Sequence, residues 1–168
     1  GIIAHNAVIS TCERAALPAL ALLLLQKACG RGLEPNEITC STIVSACEKG
    51  SRWDQSFSVI QAMHDAGPEP DVVSYGAAVS ACRHAARWPD ALVLVSAARG
   101  RALALNAVIC NAALSACAKE SRWRRALCLL SCTPWMDVQP DVISYNGLLS
   151  ACEKGERWEQ AVLCLRTL

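Results

Sequence analysis

The sequence predicts an all-α fold, a solenoid of stacked helix–turn–helix repeats, and three observations carry that prediction. Cys12, Cys47, Cys82, Cys117 and Cys152 follow one another at intervals of 35 residues. Ser10, Ser45, Ser80, Ser115 and Ser150 keep the same interval. So do Trp53, Trp88, Trp123 and Trp158, each behind an arginine (Arg52, Arg87, Arg122, Arg157). Constant spacing along the whole chain, with no insertion or deletion, is the mark of a repeat architecture.

Each unit is taken to begin one residue after Asn36, Asp71, Asn106 or Asp141. One array spanning 1–168 then divides into repeats 2–36, 37–71, 72–106 and 107–141 and a partial repeat 142–168. In the last, Val142, Tyr145, Leu148, Leu149 and Cys152 recur at three- and four-residue steps, which predicts an amphipathic first helix. A break over Lys154-Gly155-Glu156-Arg157 precedes a second apolar pattern of Trp158, Ala161, Val162 and Leu165. The second repeat has the same grammar: Ile43, Val44 and Cys47, a break at Lys49-Gly50-Ser51, then Trp53, Phe57, Val59, Ile60 and Met63. Gly50 and Gly155 stand where a helix end favours a left-handed residue. Each arginine–tryptophan pair is expected to open the second helix, with the indole packed inward and the arginine solvated. Pro35-Asn36, Pro70-Asp71 and Pro140-Asp141 close one unit and start the next. Leu105 replaces that proline in the third repeat, and Pro134 interrupts the second helix of the fourth. One helical pair cannot bury its own apolar faces, so neighbours must stack into a continuous core with a concave side. Small pairs such as Ala46-Cys47 and Ala151-Cys152 allow close helix approach.

Composition narrows the function. The formal net charge is only +1, so the whole-chain field gives no strong pull on a polyanion. The chain has eleven cysteines. Equivalent positions in stacked helices lie roughly 8–10 Å apart, beyond the ~7 Å reach of a disulfide. The five periodic cysteines should therefore be buried, reduced thiols in a reducing compartment. Cys128 and Cys132 are one turn apart, but no CxxC pair or histidine cluster completes a metal site, so no metal and no cofactor is expected. His5, His64 and His84 fall at three different phases of the repeat and form no shared catalytic device, so the chain is not expected to be an enzyme. The apolar run Ala15–Leu25, eleven residues long, is too short to span a bilayer and is expected as a buried helix, with no membrane contact. The absence of a starting methionine, and an end inside a helical pattern, suggest a piece of a longer protein whose targeting segment is not visible.

The stretch Pro140-Asp141-Val142-Ile143-Ser144-Tyr145-Asn146, followed by Cys152-Glu153-Lys154-Gly155, closely resembles the consensus of pentatricopeptide repeat proteins. Pro70-Asp71-Val72-Val73-Ser74-Tyr75 repeats its opening, and the resemblance covers the whole chain. Tetratricopeptide repeats are also helical pairs, but with a period of ~34 and a different aromatic pattern. The resemblance implies a right-handed superhelix that binds single-stranded RNA, one nucleotide per repeat, in organellar RNA processing, stabilisation or editing. It places the protein in mitochondrion or chloroplast and admits other RNA-processing proteins as partners. It also implies that the fifth residue of the first helix and the last residue of the repeat choose the base. Those pairs are Asn6 with Asn36, Ser41 with Asp71, Gly76 with Asn106, and Asn111 with Asp141; Asn146 lacks its partner. By the same resemblance the pairs lean to cytidine, guanosine, no preference and uridine, and Asn146 leans to a pyrimidine. Gly76 has no side chain to read an edge, and a tryptophan opening helix two departs from the common consensus.

The residues themselves point the same way. Positions two, five and nine of each first helix form one stripe. Position two is always β-branched and apolar (Ile3, Ile38, Val73, Val108, Ile143), position nine is always serine, and position five is usually an amide. An apolar clamp beside an amide suits a splayed base, gripped on its faces and read on its edge. Position thirteen supplies a cation row, Arg14, Lys49, His84, Lys119 and Lys154, that could follow the phosphates. Each feature also has a structural reading: helix capping for Asn36, Asp71, Asn106 and Asp141, packing between repeats for position two, and helix-dipole compensation for position thirteen. Two other functions fit the same pattern, a scaffold that binds peptides on its concave face and the address module of a longer RNA-processing enzyme.

Overall fold

The computed structural model describes residues 2–32 and 35–165, without side chains at 2–5, 66, 164 and 165. Among the described residues there is no strand, and every predicted helix is present. The chain forms two compact units, Gly1–Ala85 and Ala86–Leu168, which meet within the third repeat.

The first unit holds α1 (Ile2–Arg14), α2 (Pro18–Gly30), α3 (Glu37–Lys49), α4 (Trp53–Ala66) and α5 (Val72–His84). The first helices lie side by side, α1 on α3 and α3 on α5. Helix α2 packs on α1 and α3, and α4 on α3 and α5. Its core is Ile9, Ile43, Val44, Tyr75 and Val79, set among the small Ala46, Cys47, Ala78 and Cys82. The second unit holds α6 (Trp88–Gly100), α7 (Ala107–Lys119), α8 (Trp123–Cys132), α9 (Val142–Lys154) and α10 (Trp158–Leu165). There α7 packs on α9, α8 contacts both, and α6 and α10 flank them. Ile109, Leu114 and Leu148 are its largest fully buried aliphatic side chains; each contributes about 1.5–3 kcal/mol by leaving water. A single turn of 3₁₀ helix, Thr133–Met136, follows α8, because Pro134 cannot continue the α-helical ladder.

Four first helices start on a side-chain cap. Asn36 accepts from the Thr39 amide at 2.9 Å, Asp71 from Ser74 at 2.7 Å, Asn106 from Ile109 at 3.0 Å and Asp141 from Ser144 at 2.8 Å. Each such cap stabilises its helix by about 1 kcal/mol. At the other end the glycine reading needs correction. Gly50 and Gly155 have φ of −82° and −86°. The left-handed residue is the next one, Ser51 at φ 54° and Glu156 at φ 55°, with Ala16, Ala86 and Ser121 at the same place in the other repeats. The glycines are there for space. A Cβ on Gly50 would come within 2.7 Å of Pro18 Cγ, and one on Gly155 within 2.9 Å of Trp123 Cδ1.

Those two contacts explain the tryptophan column. The first residue of a second helix (Pro18, Trp123) lies under the turn that ends the first helix of the following repeat. Trp53, Trp88 and Trp123 are accordingly half-buried. Trp158, in the last repeat, is 71% exposed, so the expected inward packing does not extend to it. A second correction concerns Ala15–Leu25: in α2 only Pro18, Ala21 and Ala28 are buried, and Leu20 and Leu23 are each 45% exposed. The run is so uniformly apolar that its buried stripe could not be read from periodicity. Among the described residues no helix is long and apolar enough to cross a membrane.

Candidate functional site

The second residue of each first helix is turned to solvent. Ile38, Val73, Val108 and Ile143 are 65%, 63%, 72% and 64% exposed, which rules out packing between repeats as their role; the side chain of Ile3 lies outside the described residues. Because α3 and α5 are neighbours, as are α7 and α9, each unit presents adjacent β-branched side chains at one phase of its first helices. Single exposed aliphatics are ordinary on a protein surface, whereas a periodic row of stiff ones forms a surface.

Beside this row lie the position-five residues. Asn6, Ser41, Gly76 and Asn111 are half-buried and Asn146 is exposed. The amides are held by groups of the following repeat. The Nδ2 of Asn111 donates to the Asp141 carboxylate at 3.1 and 3.3 Å, while its Oδ1 accepts from the Ser144 hydroxyl at 2.6 Å. Asn6 Oδ1 lies 2.7 Å from the Thr39 hydroxyl, which is also 2.7 Å from Asn36 Oδ1. One hydroxyl proton cannot serve two carbonyl oxygens, so turning the Asn6 amide to donate to Thr39 satisfies both. Asp141 imposes a stricter rule: a carboxylate only accepts, so the nitrogen of Asn111 must face it. The Ser41 hydroxyl donates instead to Ile38 O in its own helix at 3.1 Å, and the Ser74 hydroxyl is buried without a partner.

The residues that end each repeat therefore cap helices, as one structural reading expected, and Asp141 does a second task as well. Its carboxyl is held below the usual carboxylate range, first by the Ser144 amide and further by the Asn111 side chain. Thr39 and Ser144, third in their repeats, were not picked out by sequence. Their signal was a hydroxyl three residues after a cap, a pattern that capping alone accounts for.

Arg14, Lys49, His84, Lys119 and Lys154 all end first helices with exposed side chains. They are not equivalent. Lys49 is paired with Glu13 at 2.9 Å, and Arg83 donates to His84 Nε2 at 2.9 Å. The column cysteines are buried and outside any disulfide, and burial pushes Cys47 and Cys117 up to about 11. Cys128 and Cys132 lie on the surface side of α8, and no cluster of three metal-ligating side chains occurs among the described residues.

Comparison with known proteins identifies the fold and the lineage. Residues 23–84 match the pentatricopeptide repeat domain and residues 143–167 match the PPR repeat, together more than half of the chain. No curated protein matches the sequence. Among solved structures, the maize pentatricopeptide repeat protein PPR10 is similar over 100% of this chain, with a TM-score of 0.85 and 16% identity. The chain spans only 24% of that protein's length. The same maize protein in complex with an 18-nt psaJ RNA element is similar over 99% of the chain, with a TM-score of 0.71 and 17% identity. The PPR domain of Arabidopsis thaliana protein-only RNase P 1, in complex with tRNA, is similar over 96% of this chain and 86% of its own, with a TM-score of 0.80 and 13% identity. At such identities the likeness is one of fold, an all-α helical-repeat solenoid, and the sequence matches add the lineage. The chain belongs to the pentatricopeptide repeat family.

Proposed function

We propose that this chain binds single-stranded RNA through the exposed stripe of its first helices, one base per repeat, and carries out no chemistry itself. The observation that carries the reading is the pairing of exposed β-branched residues with a tethered amide. Val108 and Ile143 stand 72% and 64% exposed, and Asn111 is held by Asp141 and Ser144. A base inserted between successive position-two side chains gains apolar contact on both faces, while the amide meets its edge. Asn111 with Asp141 selects uridine and Asn6 with Asn36 selects cytidine, because only the carboxylate forces one orientation on its amide. Ser41 with Asp71 leans to guanosine, Gly76 with Asn106 acts as a spacer, and Asn146 takes a pyrimidine. Position thirteen follows the phosphates, with Arg14 and Lys154 contributing more than the ion-paired Lys49. The fold likeness to proteins solved with an RNA element and with tRNA supports this choice of ligand. Members of the family serve organellar transcripts, so a mitochondrial or plastid RNA is the expected target. RNase P proteins are among the similar folds, so these repeats also suit the addressing part of a larger RNA-processing enzyme.

Fluorescence anisotropy with short RNA pools tests the proposal. Binding should weaken with salt, with a slope of about −0.7 per phosphate contacted. No RNA binding in a folded protein, together with capture of a peptide by the same stripe, would establish the scaffold reading instead.

A further inference from the structure

The second unit carries a concentration of charge that the base-reading stripe does not use. Around a cavity of about 390 Å³ stand Arg122, Arg124, Arg125 and Arg157, together with the indoles of Trp88 and Trp123. The guanidinium of Arg122 lies 5.5 Å from the centre of the Trp88 ring, and that of Arg125 lies 5.9 Å from it. Arg124 lies 5.1 Å from the centre of Trp123. None of these four arginines is ion-paired with a carboxylate among the described residues. Elsewhere the corresponding arginines are neutralised: Arg52 by Asp54 at 3.3 Å and Arg87 by Asp90 at 2.8 Å. In the fourth repeat the acid's place is taken by arginine, Trp123-Arg124-Arg125 standing where the second, third and fifth repeats read Trp53-Asp54, Trp88-Pro89-Asp90 and Trp158-Glu159.

Four like charges around one cavity repel one another, and the cation–π contacts of exposed arginines only partly offset that. An oxyanion at their centre removes the repulsion. Guanidinium is the cation suited to it, because its planar fork meets two phosphate oxygens at once. The indoles hold the forks in place and leave flat apolar surface beside them.

We propose that this arginine–tryptophan cluster is a phosphate-binding site for the RNA backbone, outside the base-reading stripe. The inference rests on the proposed RNA binding and names a further contact for the same ligand. Chain continuity favours RNA over another polyanion. Lys119 ends α7 three residues before Arg122, and Lys154 ends α9 three residues before Arg157. A strand whose phosphates follow the helix-end cations therefore reaches the cluster next.

The test compares three folded proteins by RNA anisotropy over a salt series: the parent chain, the triple variant Arg122→Gln, Arg124→Gln, Arg125→Gln, and a control triple Lys27→Gln, Arg31→Gln, Arg101→Gln. The control removes equal charge from exposed residues away from the cavity. Circular dichroism melts confirm the fold, and the double variant Arg124→Gln, Arg125→Gln replaces the triple should that not fold. The cluster variant should lose about tenfold in affinity, with a salt slope shallower by about 0.7 for each phosphate released, and unchanged base preference. The control should lose less than threefold. Equal losses in the two variants, or no loss in either, overturn the site while leaving RNA binding intact. Failure of the parent to bind RNA overturns both.

Discussion

The side-chain amide of Asn111 and the carboxylate of Asp141, 30 residues apart in sequence, are joined at 3.1 and 3.3 Å. The carboxylate that caps α9 thus also sets the orientation of the residue proposed to read a base in the preceding repeat. Folding and recognition share one group, and the two roles can be separated by substitution.

Replacing Asp141 by asparagine keeps an excellent cap, so stability should change by less than about 0.5 kcal/mol. It removes the acceptor that fixes the Asn111 nitrogen. Base preference at that one position should move from uridine towards cytidine by roughly one decade, equivalent to about 1.4 kcal/mol. Competition anisotropy with RNAs differing at a single nucleotide measures this. An equal change against all four bases would show that Asp141 acts without reading.

The tryptophan column predicts a contrast. Trp123 lies under the Gly155 turn, whereas Trp158 is 71% exposed. Trp123→Ala should cost about 2–3 kcal/mol, below the range for fully buried aromatics, and Trp158→Ala less than about 0.5 kcal/mol. Thermal melts should show Tm falling by about 2–4 °C per kcal/mol for a chain of this size. Equal shifts would contradict the placement of the two rings.

Asp141 is held below its unfolded range, so its contribution to stability is complete above the ordinary carboxylate pKa of about 4 and disappears as pH falls through the lower folded value. Asp54, lowered by Arg52, behaves likewise. Stability attributable to Asp141 should be flat from about pH 5 to 8 and decline only below about pH 4. Asparagine at 141 does not titrate. The melting temperature of the parent should therefore fall relative to that of the variant as the solution is acidified, and a steady difference down to pH 2.5 would refute the assignment.

Thiol reactivity follows burial. Cys29 and Cys128 are exposed, whereas Cys40, Cys47 and Cys117 are buried with pKa values of about 11. At pH 8 a maleimide or iodoacetamide should label Cys29 and Cys128 first. Cys47 and Cys117 should react only as fast as the structure opens. Peptide mapping by mass spectrometry at early times distinguishes these sets, and prompt labelling of Cys117 would mean that α7 is not packed on α9 as described.

The repeats, the helix pairs and the buried thiols were legible in the sequence because each rests on periodicity, and a period of 35 repeats every cue several times. What could not be read depends on neighbours in space. Gly50 looks like a left-handed cap in a list of residues; only the Pro18 ring beside it shows that the need is for room. The leucines of α2 carry no polar residue to mark an outer face. At the site, the position-two and position-five columns were visible as columns. The hydroxyls of Thr39 and Ser144 were hidden within ordinary capping patterns, and the arginine cluster forms only when α6, α8 and the start of α10 bring separate arginine–tryptophan pairs together.

Each turn between the two helices of a repeat passes through a side chain forced into a backbone region that suits glycine: Ala16, Ser51, Ala86, Ser121 and Glu156, all with φ between 52° and 57°. The Cβ strain at such a position is about 1–2 kcal/mol, and the extra freedom glycine brings to the unfolded chain cancels part of it. Glycine at each should then raise stability by about 0.5–1 kcal/mol, nearly additively because the sites are distant from one another. The protein thus holds an unused reserve of stability, spread evenly along its length. A variant carrying all five glycines, read by melting temperature and by unchanged RNA preference, would draw on it.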